Sequence, residues 1–254
     1  MKRVLVKDFN SFSNRHAGAD RKTDRLGSDN LFMAKNPMWK ALRSRLVPLF
    51  TGAKLRHMFV LMNEVGKEFN KYLCDQKVNE KTQSMRLDMK DMFARYSTDI
   101  IATCAYGIKA NSIQDTNAPF RVNGRKIFEM NPLRAIESAS FFLLPEIVSF
   151  FRFKFFAPNC TEFLRESFNS VLRQREQSGE VRNDLIDALL ALKREDENSE
   201  KGKDELRFDG DVLVAQAAIF FTGGFETSST TMSFGLLELA WKVSTEQLMI
   251  SFRY

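Results

Sequence analysis

The sequence predicts a mainly α-helical protein with a substantial apolar core, and three features of its composition support this prediction. Only 12 glycines and 6 prolines occur among 254 residues, and the alternating apolar and polar pattern of strands is scarce. Hydrophobic residues make up 44% of the chain, which is enough for a substantial core. The 24 phenylalanines far outnumber the 4 tyrosines and 2 tryptophans, which indicates deep apolar volume. We therefore expect one continuous helical unit without an interdomain linker.

In the first half of the chain, apolar residues recur every three or four positions, as in helices with one buried face. Pro37 suits the first turn of a helix, and Pro48 ends that helix. The stretch before Pro37 is polar and contains Gly18 and Gly27, which is typical of a loop. We expect a short helix or a helix-to-loop element at residues 4–15, and a loop at residues 16–36. Helices are expected at residues 37–46, 54–76, 86–106 and 118–130.

The second half begins with a phenylalanine-rich segment at residues 141–158. Leu164 and Phe168 lie on the apolar face of a helix that ends near Gln177, and Asp184 is a good N-cap for the next helix. Residues 193–207 are highly charged and predict an exposed loop. A long helix then begins near Asp209 or Asp211 and continues to about residue 241, over roughly 45 Å.

Charge and cysteine usage exclude several classes of function. The net charge is +6, and no dense basic stripe with interleaved aromatic residues occurs, so we expect no nucleic-acid partner. Cys74, Cys104 and Cys160 are widely spaced, which predicts reduced thiols and no disulfide framework or zinc site. The N-terminal apolar run is too short and too charged for a signal peptide, and no run of 18 apolar residues predicts a transmembrane helix.

The most informative motif lies in the middle of the long helix, where Gly223 and Gly224 precede Glu226 and Thr227. Each glycine costs about 1 kcal/mol relative to alanine in a helix interior. Without a Cβ, the backbone can approach a flat ligand closely, and an acid beside an alcohol can relay protons through water. The alternative is a helix kinked for packing, in which Thr227 bonds to the carbonyl group four residues earlier.

Two further segments have both a functional and a structural interpretation. Trp39 and Arg43 are four residues apart, so they share a helix face and offer two kinds of N–H donor to a carboxylate. The alternative is a surface arginine whose stem covers an aromatic ring. Residues 141–156, with Arg152 and Lys154, suit a membrane-facing hairpin or lid, and ordinary core packing explains their phenylalanines equally well.

With these residues in place, the chain resembles the cytochrome P-450 superfamily of haem-thiolate monooxygenases. The resemblance is greatest to the microsomal, xenobiotic-metabolising members of insects. The segment at residues 219–240, IFFTGGFETSSTTMSFGLLELA, is similar to the family's I helix, with its motif at Gly223 to Thr227. Four other segments follow the family order: residues 7–15 resemble the B helix, 36–59 the C helix, 97–113 the E helix, and 182–193 the segment before the I helix.

The resemblance implies a role for each matching residue. Trp39 and Arg43 would bind a haem propionate, and Gly223 and Gly224 would let the helix pass over the haem face. Thr227 and Glu226 would deliver protons during oxygen activation. The substrate pocket would include Phe32, Phe220 and Phe221. The resemblance assigns no metal ligand to this chain.

The resemblance also implies cofactors, partners and location. The family uses haem, takes electrons from NADPH through NADPH-cytochrome reductase, and oxidises small lipophilic substrates. Its microsomal members lie on the cytosolic face of the endoplasmic reticulum membrane, and residues 141–156 would give peripheral membrane contact.

The chain also departs from the family pattern. The family starts with a membrane anchor and a small sheet, and it continues past the I helix to an ExxR helix and a loop with the iron-ligating cysteine. None of Cys74, Cys104 and Cys160 lies in such a loop. We expect a partial domain over residues 1–240, from the B helix to the I helix, with an unmatched tail at 241–254. Our hypothesis is a fragment that is inactive alone, from an incomplete gene model or a truncated transcript.

Two other hypotheses are compatible with the residues. One is a non-catalytic α-helical binding or interaction protein derived from the family, which would fold without haem. The other is a haem binder that uses His16 or His57, although neither lies where the family's iron would sit.

Overall fold

The computed structural model describes residues 2–77, 85–199 and 206–242, and these ranges contain helices and no strand. The mainly α-helical prediction is therefore confirmed. A π-helical turn at Arg3–Lys7 and a 3₁₀ turn at Phe9–Ser11 come first, and a second 3₁₀ turn lies at Val47–Phe50. The α-helices are α1 (Arg25–Ser28), α2 (Met38–Leu46), α3 (Gly52–Cys74), α4 (Met89–Tyr106), α5 (Pro119–Phe128), α6 (Pro132–Leu143), α7 (Pro145–Phe151), α8 (Pro158–Ser178), α9 (Leu185–Glu197) and α10 (Gly210–Lys242).

Two of the expected loops contain helical structure. Within residues 16–36, the Asp24 carboxylate accepts a hydrogen bond from the Gly27 N–H and so caps the short helix α1. Residues 193–197, expected to be an exposed loop, continue α9. Charge alone was misleading there because Asp196 is buried, where it pairs with Arg45 at 2.7 Å and accepts the Phe208 N–H. Residues 200–205 of that expected loop lie outside the described residues.

The phenylalanine-rich segment is divided between several elements. Its first residues end α6, Pro145 starts α7, and Pro158 starts α8. Proline at the first position of a helix loses no hydrogen bond, because that N–H has no partner in the helix. The segment therefore contains the end of α6, the whole of α7 and the approach to α8.

Helix α10 is the helix on which the other helices of the main core pack. It has 33 residues, which correspond to about 50 Å, and it packs most extensively on α4 and also on α1, α5 and α8. Its N-terminal half is buried from Val212 to Ala218, and Phe221 and Phe225 continue the buried face. Around them, aromatic rings meet edge to face: Tyr106 lies 6.0 Å and Phe120 5.7 Å from Phe221. The main core thus lies where the shorter helices pack around α10.

A buried amide holds the 16–36 region against α10. The Gln216 side chain is fully buried and donates to the Asp29 carbonyl at 2.8 Å, while its oxygen accepts the Leu31 N–H at 3.0 Å. A buried amide is stable only when its polar atoms have partners. This exchange fixes residues 29–31 beside the first half of α10, one to two turns before the glycine pair.

Candidate functional site

The candidate site lies on the open side of α10, where the buried half of the helix ends. Gly223 and Thr227 are four residues apart, so they lie on one face, and both are exposed. The Thr227 hydroxyl donates to the Gly223 carbonyl. The helix is continuous through this point, and Thr227 makes the bond to the preceding turn that the structural alternative expects.

The two adjacent glycines serve different surfaces. A Cβ at Gly224 would lie 2.8 Å from the Cδ1 atom of Ile101, so this glycine lets α10 approach α4 closely. A Cβ at Gly223 would meet no atom within 4 Å. Packing among the described residues therefore accounts for Gly224 and leaves Gly223 without a structural reason. The space beside Gly223 is what a flat ligand lying against the backbone would need.

Glu226 lies on the flank of the same face, beside α4. Its Oε1 atom is 2.6 Å from the Lys90 Nζ atom, and Lys90 also donates to the hydroxyl groups of Ser229 and Thr230. Lys90 and Glu226 are both partly exposed. The acid expected from the sequence is therefore next to the Gly223–Thr227 face, with its charge matched by a lysine from the first turn of α4.

Trp39 and Arg43 are brought together on α2, as their spacing predicts. The Arg43 guanidinium lies 5.9 Å from the centre of the Trp39 ring, and the Phe9 ring lies 6.3 Å from that of Trp39. Within residues 2–77, 85–199 and 206–242, no carboxylate pairs with Arg43. Its exposed N–H groups are thus free to bind an anionic group, and the guanidinium lies within the range of a cation–π contact with the indole ring.

The three aromatic residues assigned to a substrate pocket occupy different environments. Phe220 is half-buried, shares the Gly223 side of α10, and packs on Phe50 with ring centres 5.5 Å apart. Phe32 is exposed and lies 6.3 Å from Phe142. Phe221 is fully buried in the main core. The structure thus brings Phe220 to the open face, whereas the pocket roles of all three remain predictions.

Sequence reasoning missed three residues that shape the site. Lys90 is 136 positions from Glu226, and no local pattern links them. Phe50 is the ring that joins the end of α2 to α10. Gln216 offered a signal, because it is a lone amide inside the apolar run VLVAQAAIFF at residues 212–221. Such an amide in a buried helix must bind a neighbouring segment.

The donor groups fit a haem in part. The open surface at Gly223 and the free N–H groups of Arg43 suit a planar ring with a carboxylate edge. The cysteines are poorer candidates for an iron ligand, because the form of cysteine that binds iron is the thiolate. Burial, with the charge of Asp184, raises the pKa of Cys104 to about 11, and burial also raises the pKa of Cys160. Cys74 is exposed at the end of α3. No group of three potential metal ligands occurs in the described part of the chain.

Comparison with known proteins gives consistent matches. The family model described as cytochrome P450 matches residues 1–247. The chain is 47% identical over 250 residues to probable cytochrome P450 6g2 of Drosophila melanogaster, which covers 97% of this chain and 48% of that protein. It is 43% identical over 240 residues to probable cytochrome P450 6w1 of the same species, with 94% and 46% covered.

A cockroach protein extends the comparison beyond flies. Cytochrome P450 6k1 of Blattella germanica is 42% identical over 253 residues, with 94% of this chain and 47% of that protein covered. The chain therefore spans about half the length of the curated relatives it matches. Because the family model matches almost the whole chain, and these relatives are 42–47% identical to it, this chain belongs to the cytochrome P450 family.

Proposed function

We propose that this chain forms part of a haem-dependent monooxygenase that inserts one oxygen atom from dioxygen into a small lipophilic substrate. Electrons would come from NADPH through NADPH-cytochrome reductase. One observation carries the proposal: α10 presents an open face at Gly223 and Thr227, flanked by Glu226, that no packing among the described residues explains. Family membership supplies the chemistry that such a face would serve.

The residues of this chain would have separate tasks. Bound haem would supply the oxygen-activating chemistry. Arg43 and Trp39 would hold its propionate, because the guanidinium is free and is oriented by the indole ring. Gly223 would let the ring lie against α10. The Thr227 hydroxyl donates its proton in a hydrogen bond to the Gly223 carbonyl, so its oxygen would accept a hydrogen bond from a water molecule and position that water as the proton donor.

Glu226 would supply protons to that relay from the side of the helix. A carboxylate held by Lys90 at 2.6 Å and open to solvent can exchange protons with water. Substrate would lie beside Phe220 and Phe32, with Phe221 behind them in the core. We further propose that these 254 residues are inactive alone, because none of Cys74, Cys104 and Cys160 lies in a sequence that resembles the family's iron-ligating loop.

We also propose peripheral membrane contact through residues 141–156, on the cytosolic face of the endoplasmic reticulum. Leu143 and Phe151 are exposed, Phe150 is 80% exposed, and Arg152 and Lys154 lie beside them. An apolar patch with flanking bases favours an anionic bilayer surface. In the described ranges, no helix combines the length and the hydropathy needed to cross a bilayer.

The test of the haem proposal is complementation. The chain is produced alone, and together with a second polypeptide that carries the ExxR helix and cysteine loop of the probable cytochrome P450 6g2 relative. The reduced carbon-monoxide difference spectrum is then measured with added haem. We expect a thiolate-type band only from the combination. A band from the chain alone would contradict the proposed inactivity, and no band from either would contradict the haem proposal.

A matched pair of glycine variants locates the ring. Gly223 and Gly235 both lie in α10 with no atom within 4 Å of an added Cβ. We expect Gly223→Leu to abolish the band in the combination and Gly235→Leu to preserve it. Equal loss in both variants would indicate that any bulk on α10 disturbs assembly.

The second candidate function is that of a non-catalytic binding protein. The closed main core favours this candidate, because a chain with such a core could fold without haem. The exposed end of α10 argues against it, since Phe234, Leu237 and Trp241 have no partner side chain covering them among the described residues. A stable monomer that excludes apolar dyes would favour the binding protein. Dye binding and self-association would favour part of an enzyme.

A further inference from the structure

Helix α2, which carries Trp39 and Arg43, is attached to the rest of the fold mainly through side chains. In the described part of the chain, the one element that packs extensively on its backbone is the 3₁₀ turn Val47–Phe50 that follows it. Its buried residues Leu42 and Leu46 are four positions apart, so they form a single narrow stripe in the main core. A helix held along one such stripe can roll about it unless a contact on its flank prevents the roll.

Arg45 provides a contact on one flank of α2. At about 100° per residue, Arg45 lies about 60° to one side of Leu42, whereas Trp39 and Arg43 lie about 60° and about 100° to the other side. The two arginines are therefore on opposite flanks of the buried stripe. A roll of α2 that lifted Arg45 away from its partners would also displace Trp39 and Arg43.

Arg45 is held by a two-pronged ion pair with Asp196 at the end of α9. Its Nη1 atom lies 2.8 Å from the Asp196 Oδ2 atom, and its Nη2 atom lies 2.7 Å from the Oδ1 atom. The Nη2 atom also donates to Glu195 at 3.1 Å and to the Leu192 carbonyl at 3.3 Å. Two parallel bonds to one carboxylate fix the orientation of a guanidinium as well as its distance. Water screens this pair little, because the Asp196 side chain is only 4% exposed.

The Asp196 carboxylate also holds the segment that leads into α10. Its Oδ2 atom accepts the Phe208 N–H at 2.6 Å, two residues before α10 begins at Gly210. The fully buried Phe208 ring has its centre 4.6 Å from the guanidinium carbon of Arg45, within the range of a cation–π contact. The end of α9, the approach to α10 and one flank of α2 therefore meet at a single carboxylate.

We propose that Arg45 and Asp196 are positioning residues for the Trp39–Arg43 pair. They fix one flank of α2 to the junction of α9 and α10, and so they set the position of the free Arg43 N–H groups on the other flank. The inference rests on the proposed role of Trp39 and Arg43 in holding a propionate. Its consequence is that α2 keeps a fixed position relative to α10, the helix against which the haem would lie.

Tryptophan fluorescence tests the positioning without haem. The chain has two tryptophans, and Trp241→Phe, at an exposed site on α10, leaves Trp39 as the single reporter. Arg45→Met is then added, because it retains an unbranched side chain and removes the guanidinium. We expect acrylamide to quench Trp39 about twofold more strongly, since α2 can then roll and expose the indole ring. Unchanged quenching would overturn the proposal.

The matched control in the same background is Arg165→Met. Arg165 pairs with Asp211 at 2.9 Å and joins α8 to the first turn of α10, so it is an ion pair between helices in which α2 takes no part. We expect this variant to leave the quenching of Trp39 unchanged. Equal increases in both variants would indicate general loosening and would overturn the proposal. If Arg45→Met folds poorly, Arg45→Lys keeps the charge with one prong and should give a smaller increase; no increase there would also count against positioning.

Haem titration of the two-polypeptide combination separates this inference from the proposed function. Asp196→Asn leaves Trp39 and Arg43 in place, and we expect it to strengthen quenching and to raise the Kd for haem by about tenfold. Stronger quenching with an unchanged Kd would support the positioning of α2 and contradict the propionate role of Arg43. A raised Kd with unchanged quenching would overturn the positioning.

Discussion

At the scale of single residues, Tyr106 is buried in a way that costs stability. Its side chain is fully buried between aromatic rings, and its hydroxyl group has no hydrogen-bond partner among the described residues. Burial also raises the pKa of this phenol far above its ordinary value. The ring contributes to the core through its contacts with Phe120 and Phe168, whereas the oxygen contributes nothing that compensates for its lost hydration.

Tyr106→Phe should therefore stabilise the chain. It removes an unsatisfied hydroxyl and retains the ring, so we expect the free energy of unfolding to rise by about 1 kcal/mol in urea titrations. Tyr96→Phe is the control, because that ring is only partly buried and should give little change. A loss of stability in Tyr106→Phe would mean that an unseen water or group satisfies the hydroxyl.

The pKa of Asp91 indicates how the stability of the folded chain depends on pH. Burial alone would raise its pKa, but hydrogen bonds from Arg121 and Arg95 outweigh burial, and the pKa is lowered. A lowered pKa in the folded state means that this contribution is present above the ordinary aspartate pKa, about 3.9, and is lost as the pH falls below it. Arg121 is buried, so removing its partner leaves a guanidinium without a carboxylate.

Asp91→Asn should destabilise the chain at neutral pH by about 2 kcal/mol, the usual range for hydrogen bonds to charged groups. The difference between variant and parent should shrink as the pH is lowered from 5 towards about 3, because the parent loses the same interaction. Thermal unfolding across that range measures it. Glu166→Gln, an exposed acid on α8, should show no such convergence.

At the scale of elements, α10 and α4 show how one helix serves packing and function at adjacent positions. Gly224 lies against Ile101, and the Ser97 hydroxyl donates to the Phe225 carbonyl at 3.1 Å, so α4 binds α10 directly opposite the open face. The same turn thus has a closed side and an open side. Alanine substitutions at Gly223 and Gly224 should therefore have different effects on the free energy of unfolding.

Gly223→Ala should stabilise the isolated chain by up to about 1 kcal/mol through helix propensity. Gly224→Ala gains the same propensity but collides with Ile101, so we expect it to be less stable than Gly223→Ala by about 1–3 kcal/mol. Ile101→Val removes the Cδ1 atom that collides, and the double variant Gly224→Ala with Ile101→Val should recover part of the loss. Additive effects in this double-mutant cycle would contradict the predicted contact.

The sequence could predict elements wherever one apolar face recurs over many residues. The positions of α3, α4 and α8 follow from that period, and the cap at Asp184 marks the start of α9. Segment 141–158 defeats the same reasoning, because phenylalanines fall on every face and only the prolines mark the boundaries. The partner of Glu226 was also out of reach, since Lys90 meets it only through the packing of α4 on α10.

At the scale of the whole molecule, two exposed apolar surfaces differ in character. One comprises Phe234, Leu237, Leu239 and Trp241 at the end of α10, and the other lies on α6 and α7 with Phe150 and Phe151 at its tip. Two basic residues, Arg152 and Lys154, follow directly after the exposed phenylalanines of the second surface. We expect the first surface to drive self-association and the second to bind anionic vesicles.

A crossed pair of variants separates the two surfaces. Phe234→Ser with Leu237→Ser should reduce dye binding and self-association severalfold and leave vesicle binding unchanged. Phe150→Ser with Phe151→Ser should do the reverse in a sedimentation assay with vesicles containing phosphatidylserine. If both pairs change both readouts equally, the surfaces do not have separate roles.

The position of the main core has a consequence for the order of synthesis. In the described part of the chain, the last buried apolar residue is Phe225, and every other member of the main core precedes it. Because a ribosome delivers residues from the N-terminus, the complete set of main-core side chains is available for packing once the first half of α10 has emerged. The exposed apolar side chains at the end of α10, Phe234, Leu237 and Trp241, emerge only after that set is complete.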